Sequence, residues 1–178
     1  MVRARPRARL NAFKAALFAL LFANAVYYAV AGTASKGTDA AAWLVLLILF
    51  ELETRFPHRL DAPNRRAVLR AARLVAAVAV IAAALGYIAE GNALDAINSA
   101  LWIGVVVLLE VELRWRARGA RVALAFRTLA AVLYGSLAAL VIAWAARGAW
   151  LDAYDAALWL LAFATIELEV TRLERTPS

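Results

Sequence analysis

Three stretches of this chain carry one pattern: WLVLLILFELE at 43–53, WIGVVVLLEVE at 102–112 and WLLAFATIELE at 159–169. In each, a tryptophan opens a run without charge, and two glutamates separated by one residue close it. A glycine stands 11 residues before each tryptophan, at Gly32, Gly91 and Gly148, and the first glutamate follows 8 residues after it. These spacings are identical in all three copies, and the period is 59 residues and then 57. An aromatic residue lies four before each glycine (Tyr28, Tyr87, Trp144), and a polar one lies four before each tryptophan (Asp39, Asn98, Asp155). An arginine follows each glutamate pair, at Arg55, Arg114 and Arg172. Such self-similarity marks a repeat architecture. The copies are 10–55, 69–114 and 126–172, within a single domain over 1–178.

Working outward, each copy holds two apolar runs. They are Leu10–Ala31, Ala40–Phe50, Leu74–Ala89, Ala96–Leu109, Val122–Ala146 and Ala153–Ile166. A membrane-spanning helix needs about 20 apolar residues. The second, fourth and sixth runs reach that length only if the carboxylates beside them sit at the membrane edge. Hydrophobic residues make up 65% of the 178, against roughly half in soluble domains. The expected fold is therefore all-α and integral to a membrane: six transmembrane helices as three tandem two-helix hairpins.

The charges set orientation. With the amino terminus cytoplasmic, one side receives Arg3, Arg5, Arg7, Arg9, Lys14, Arg55, Arg59, Arg65, Arg66, Arg70 and Arg73. It also receives Arg114, Arg116, Arg118, Arg121, Arg127, Arg172 and Arg175, so that 18 of the 20 Lys and Arg share a side with both termini. The positive-inside rule places that side in the cytoplasm, as in a bacterial inner (plasma) membrane. The net charge of +7 is thus topological, and no nucleic-acid role is expected. The first run resembles a signal peptide, but it aligns as an equal member of the repeat and is expected to stay as a helix. All copies point the same way, which implies a pseudo-threefold axis along the membrane normal. Gly86, Gly104 and Gly135 are expected to allow close helix approach.

The paired glutamates are the sharpest chemical feature. Residues i and i+2 of a helix lie roughly 200° apart, so the two carboxylates of a pair cannot share a face. A carboxylate near a helix C-terminus also opposes the macrodipole and needs a compensating partner. One source is the same helix: Glu51–Arg55, Glu110–Arg114 and Glu112–Arg116 are i,i+4 pairs. The other is the neighbouring helix start, where Lys14, Arg70, Arg73 and Arg127 lie at the depth of the glutamates, while Arg172 follows the third pair. Alternatively Glu51, Glu110 and Glu167 turn inward as an acidic ring, a device that makes a path cation-selective, leaving Glu53, Glu112 and Glu169 for neighbours. Trp43, Trp102 and Trp159 are expected as interface anchors or packing residues. Asp39, Asn98 and Asp155 are expected to cap the inward-running helices or to form an outer acidic vestibule with Glu90, Asp95 and Asp152.

Other chemistry is sparse. There is no cysteine, and the one histidine, His58, sits in a Pro-flanked loop; no metal site or cofactor is expected. No phosphate loop, nucleophile elbow or HExxH helix occurs, so no enzyme is expected.

The segments Phe50-Glu51-Leu52-Glu53-Thr54-Arg55 and Glu110-Val111-Glu112-Leu113-Arg114 place an acid near the inner end of a helix and a base after it. In this they resemble the second helix of voltage-sensor domains of cation channels, and Leu94-Asp95-Ala96-Ile97-Asn98 leading into Trp102 adds to the likeness. The likeness extends one helix at a time. Where that family has an aromatic residue three before the acid, this chain has Ile48, Val107 and Ala164. Arg70 and Arg73 are its only arginines at a three-residue interval in a helix that leads out of the cytoplasm.

Two functions follow from these residues. One is a small membrane protein that conducts or carries cations or protons along a path lined by the glutamates. The alternative is a non-catalytic membrane subunit or assembly protein held together by Glu–Arg pairs. The partners in either case are the lipid bilayer and a homo-oligomer or larger membrane complex, with small cations added in the first.

Overall fold

The computed structural model describes residues 4–56, 62–115 and 120–174, with side chains at 10, 12–56, 62–112 and 121–165. Six helices account for nearly all of them: α1 (Ala4–Ala31), α2 (Ala34–Arg55), α3 (Pro63–Ala89), α4 (Ala93–Trp115), α5 (Ala120–Ala146) and α6 (Trp150–Glu174). Alanine and leucine dominate them, and the prolines inside helices stand at Pro6, near the start of α1, and at Pro63, the first residue of α3. There a missing N–H costs nothing. Each apolar run of the sequence lies inside one helix.

Four helices are long and apolar enough to cross a membrane, through Ala12–Ala31, Pro63–Ala89, Ala93–Glu112 and Arg121–Ala146. Helix α2 has 22 residues, but Lys36 and Asp39 at one end and Glu51, Glu53 and Arg55 at the other confine its uncharged stretch to 40–50. The six-span expectation thus meets four helices that qualify by length and composition among the described residues.

Short turns join α1 to α2, α3 to α4 and α5 to α6. At two of them a glycine adopts the left-handed conformation, Gly91 at φ 73° and Gly148 at φ 75°. Each closes a Schellman motif. Asn92 N–H donates to the Tyr87 carbonyl (2.9 Å) and Gly91 N–H to that of Ile88 (3.2 Å). Likewise Ala149 N–H donates to Trp144 (3.0 Å) and Gly148 N–H to Ala145 (3.1 Å). The first turn is built differently. Gly32 N–H donates to the Tyr28 carbonyl (3.0 Å), and Thr33 caps α2 by accepting from the Lys36 N–H (3.3 Å).

The helices form two compact units, Phe22–Ser99 and Met1–Leu21 with Ala100–Ser178. In the first, α2 packs on α3. Its buried positions on α3, Ala76, Val80, Ala83 and Tyr87, recur at helical spacing, so α3 offers α2 a face of mostly small residues. At the end of that face stands Gly86, where a Cβ would lie 2.2 Å from the Ser35 hydroxyl oxygen. In the second unit α5 packs on α6. Trp102 of α4 is stacked at a tilt on Phe163 of α6 (4.6 Å between centroids) and meets Tyr134 of α5 edge-on (6.5 Å). The three glycines expected to permit close approach therefore differ. Gly86 does so, Gly104 has ordinary contact with Leu133 at 3.4 Å, and a Cβ on Gly135 would meet nothing within 4 Å.

Gly86→Ala is expected to lower the thermal unfolding midpoint in detergent, because the Ser35 hydroxyl must turn aside and give up its bond to Glu90. Gly91→Ala should cost about 1 kcal/mol from the left-handed backbone, whereas Gly135→Ala should stay within about 0.5 kcal/mol of the parent. Equal midpoints for Gly86→Ala and Gly135→Ala would contradict this account of the α2–α3 contact.

Candidate functional site

The two ends of α2 hold the described polar chemistry of the Phe22–Ser99 unit. At its C-terminal end the two glutamates part as helical geometry requires. Glu53 binds the guanidinium of Arg73, at the end of the third turn of α3. Glu51 instead lies 3.9 Å from Arg55, one turn along its own helix. Both carboxylates are half-buried. Thr54 donates to the Phe50 carbonyl (2.9 Å), and Arg70 donates through Nε to the carbonyl of Arg66 (3.3 Å). Arg70 thus turns along α3, and Arg73 is the arginine that reaches across.

At the other end, α2 is tied to α3 and to the turn beyond it. Tyr87 donates its hydroxyl proton to Asp39 Oδ2 (3.3 Å) in a buried contact. Ser35 donates to Glu90 Oε1 (2.6 Å), and Asn92 Nδ2 donates to the other oxygen of the same carboxylate (3.1 Å). Lys36 Nζ lies 3.6 Å from Asp95 and 5.6 Å from the centre of the Tyr28 ring. The hydrogen bond from Ser35 holds the Glu90 carboxyl below its ordinary range.

Capping is where the sequence expectation fails. Asp39, Asn98 and Asp155 lie six residues into helices that begin at Ala34, Ala93 and Trp150. The free N–H groups of a helix are confined to its first turn, so these residues stand too deep to cap them. Thr33 caps α2, and the first-turn acids of α4 and α6 are Asp95 and Asp152. Their charge complements the positive helix end.

Of the two roles expected for the tryptophans, the structure shows packing. Trp43, Trp102 and Trp159 are only 8%, 4% and 8% exposed, while Trp150 is 70% exposed. The aromatics that precede the turn glycines, Tyr28, Tyr87 and Trp144, are buried as well. Lys14 is buried on α1, whereas Arg127 is exposed on α5. In the second unit Glu110 is exposed and Glu112 half-buried. The side chains of Arg114, Glu167, Glu169 and Arg172, and His58 altogether, lie outside the described residues. Among the described residues no group of three carboxylates or imidazoles could hold a metal ion.

No known protein family, no curated protein and no solved structure matches this chain. The site therefore rests on its own geometry, which consists of polar ties between helices. The links Tyr87–Asp39, Ser35–Glu90 and Lys36–Asp95 were missed by sequence reasoning. Only the repeated aromatic-before-glycine position, which includes Tyr87, hinted at one of them.

Two outcomes are expected. A double-mutant cycle on Glu53→Gln and Arg73→Gln should give a coupling of about 0.2–1 kcal/mol in detergent unfolding, as for partly exposed pairs. Because the folded Glu90 carboxyl is depressed, its contribution is present above the unfolded value near 4.5 and is lost as pH falls through the lower folded one. Ser35→Ala should therefore unfold with a flatter pH dependence below pH 4.5 than the parent, and an unchanged slope would contradict the link.

Proposed function

We propose that this chain is an integral membrane protein of six transmembrane helices, serving as a non-catalytic subunit or assembly protein. Its helices form three tandem hairpins of one orientation about a pseudo-threefold axis, with both termini in the cytoplasm of a bacterium and the helices in its inner membrane. Four helices of spanning length and composition and the gathering of 18 of 20 basic residues on one side support the topology. Under this reading α2 and α6 also cross, with their carboxylates at the cytoplasmic edge.

The observation that carries the reading is the bond between Glu53 and Arg73. A carboxylate at the C-terminal end of a membrane helix is unfavourable unless matched. Here the match comes from the start of the next hairpin, so the charge serves to join hairpins. Glu51 is matched too, by Arg55. A carboxylate-lined path for cations or protons needs its glutamates to border water, and two of the six are instead engaged by arginines. The many exposed apolar side chains, such as Phe22, Val30, Leu85 and Ile142, suit contact with lipid and with further copies or another membrane protein.

Ion flux in proteoliposomes tests the assignment. The wild-type chain is expected to pass potassium, sodium and protons no faster than empty vesicles. Flux that disappears in the folded variant Glu51→Gln/Glu110→Gln/Glu167→Gln would replace this reading by the conducting one. Since the chain has no cysteine, topology can be tested with single labels. Asn92→Cys should react with an impermeant maleimide on intact cells and Arg118→Cys only after permeabilisation. Labelling of both from the same side would remove the orientation.

A further inference from the structure

Helix α3 is longer than its apolar part, and its first two turns stand in a distinctive relation to the rest. Residues 59–73 carry five arginines (Arg59, Arg65, Arg66, Arg70, Arg73) against a single acid, Asp61. Arg65, Arg66 and Arg70 are exposed. Arg73, about one turn further along α3 from Arg70, is joined to Glu53.

The same helix bears an exposed apolar stripe. Leu74, Val78, Ile81, Leu85 and Ile88 are all more than half exposed and follow Arg70 at helical spacing. At 100° per residue they fall within roughly 80° of the Arg70 direction. Arg66 lies about 40° to the other side, one turn nearer the helix start. Counting 1.5 Å per residue, Ile81 is roughly 16 Å along the axis from Arg70. That is about half the ~30 Å hydrocarbon core, the depth of one leaflet. The stripe therefore offers one acyl chain a surface of matching length, with arginines where its headgroup lies.

We propose that α3 binds one anionic phospholipid of the leaflet in which the helix begins, its phosphate on Arg70 and Arg66 and an acyl chain along Leu74, Val78 and Ile81. The proposal rests on the membrane reading given above. Arginine suits the task because its planar fork meets two phosphate oxygens at once. The hydrogen bond from Arg70 Nε to the Arg66 carbonyl (3.3 Å) holds this guanidinium along the helix, which reduces the ordering that a bound lipid must impose. The excess positive charge selects an anionic headgroup over a zwitterionic one.

The test is boundary-lipid selectivity, measured by electron paramagnetic resonance with chain-labelled phosphatidylglycerol and phosphatidylcholine around the reconstituted full chain. The wild type is expected to prefer phosphatidylglycerol, and Arg66→Gln/Arg70→Gln should reduce that preference by roughly fivefold or more, from two basic residues near the surface. Arg66→Lys/Arg70→Lys should retain part of it, and excess inorganic phosphate should leave it unchanged. No preference in the wild type would overturn the site. So would an equal loss in Arg121→Gln/Arg127→Gln, which would signify a diffuse charge effect, and so would competition by inorganic phosphate. If alkaline carbonate releases the chain from membranes, the membrane reading itself fails and the lipid site with it. A chain that stays embedded without selectivity fails in the lipid site alone.

Discussion

Helix α2 can lie against α3 because Gly86 has no side chain. A single methyl group there would stand 2.2 Å from the Ser35 oxygen, so that hydroxyl would have to turn away from its bond to Glu90. The close approach permits the rest. It brings Ser35 onto Glu90 and Tyr87 onto Asp39 at one end, and at the other it sets Glu53 against Arg73. In an apolar solvent the hydrophobic drive between helices is weak, so short-range packing and polar contacts at helix ends decide which neighbours pair. Alanine and valine at Ala76, Val80 and Ala83 extend the same low relief along α3.

The glutamates take their meaning from this contact. Two carboxylates two residues apart on one helix must face different ways, and each solves its charge separately. Glu53 faces α3 and is met by Arg73 of that helix, whereas Glu51 is met one turn along α2. Both solutions put positive charge at the end of α2 where the helix dipole is negative. The arrangement ties the C-terminal end of α2 to α3.

Much of the fold was legible in the sequence, and for a specific reason. The positions of the six helices follow from runs of uncharged residues, and the turns at Gly91 and Gly148 follow from a residue that tolerates left-handed backbone. Those signals are local. The capping assignment failed because the aligned polar residue was taken as the helix start, although each helix begins five residues earlier. The third turn glycine, Gly32, shares its place in the repeat with the others but ends α1 without a left-handed residue, its N–H donating to the Tyr28 carbonyl, and Thr33 caps the start of α2. A repeat in sequence thus does not oblige each copy to make its turn the same way.

What the sequence determined by itself is one-dimensional: which segments are helical, where their charged ends lie and which residues can break them. Hydropathy and backbone preference act on neighbours in the chain, so they can be read along it. The tertiary structure decided which of two glutamates meets which arginine, that Asp39 answers Tyr87, and that Trp43, Trp102 and Trp159 are buried. Those outcomes depend on the rotation and depth of one helix against another, which no spacing along the chain encodes.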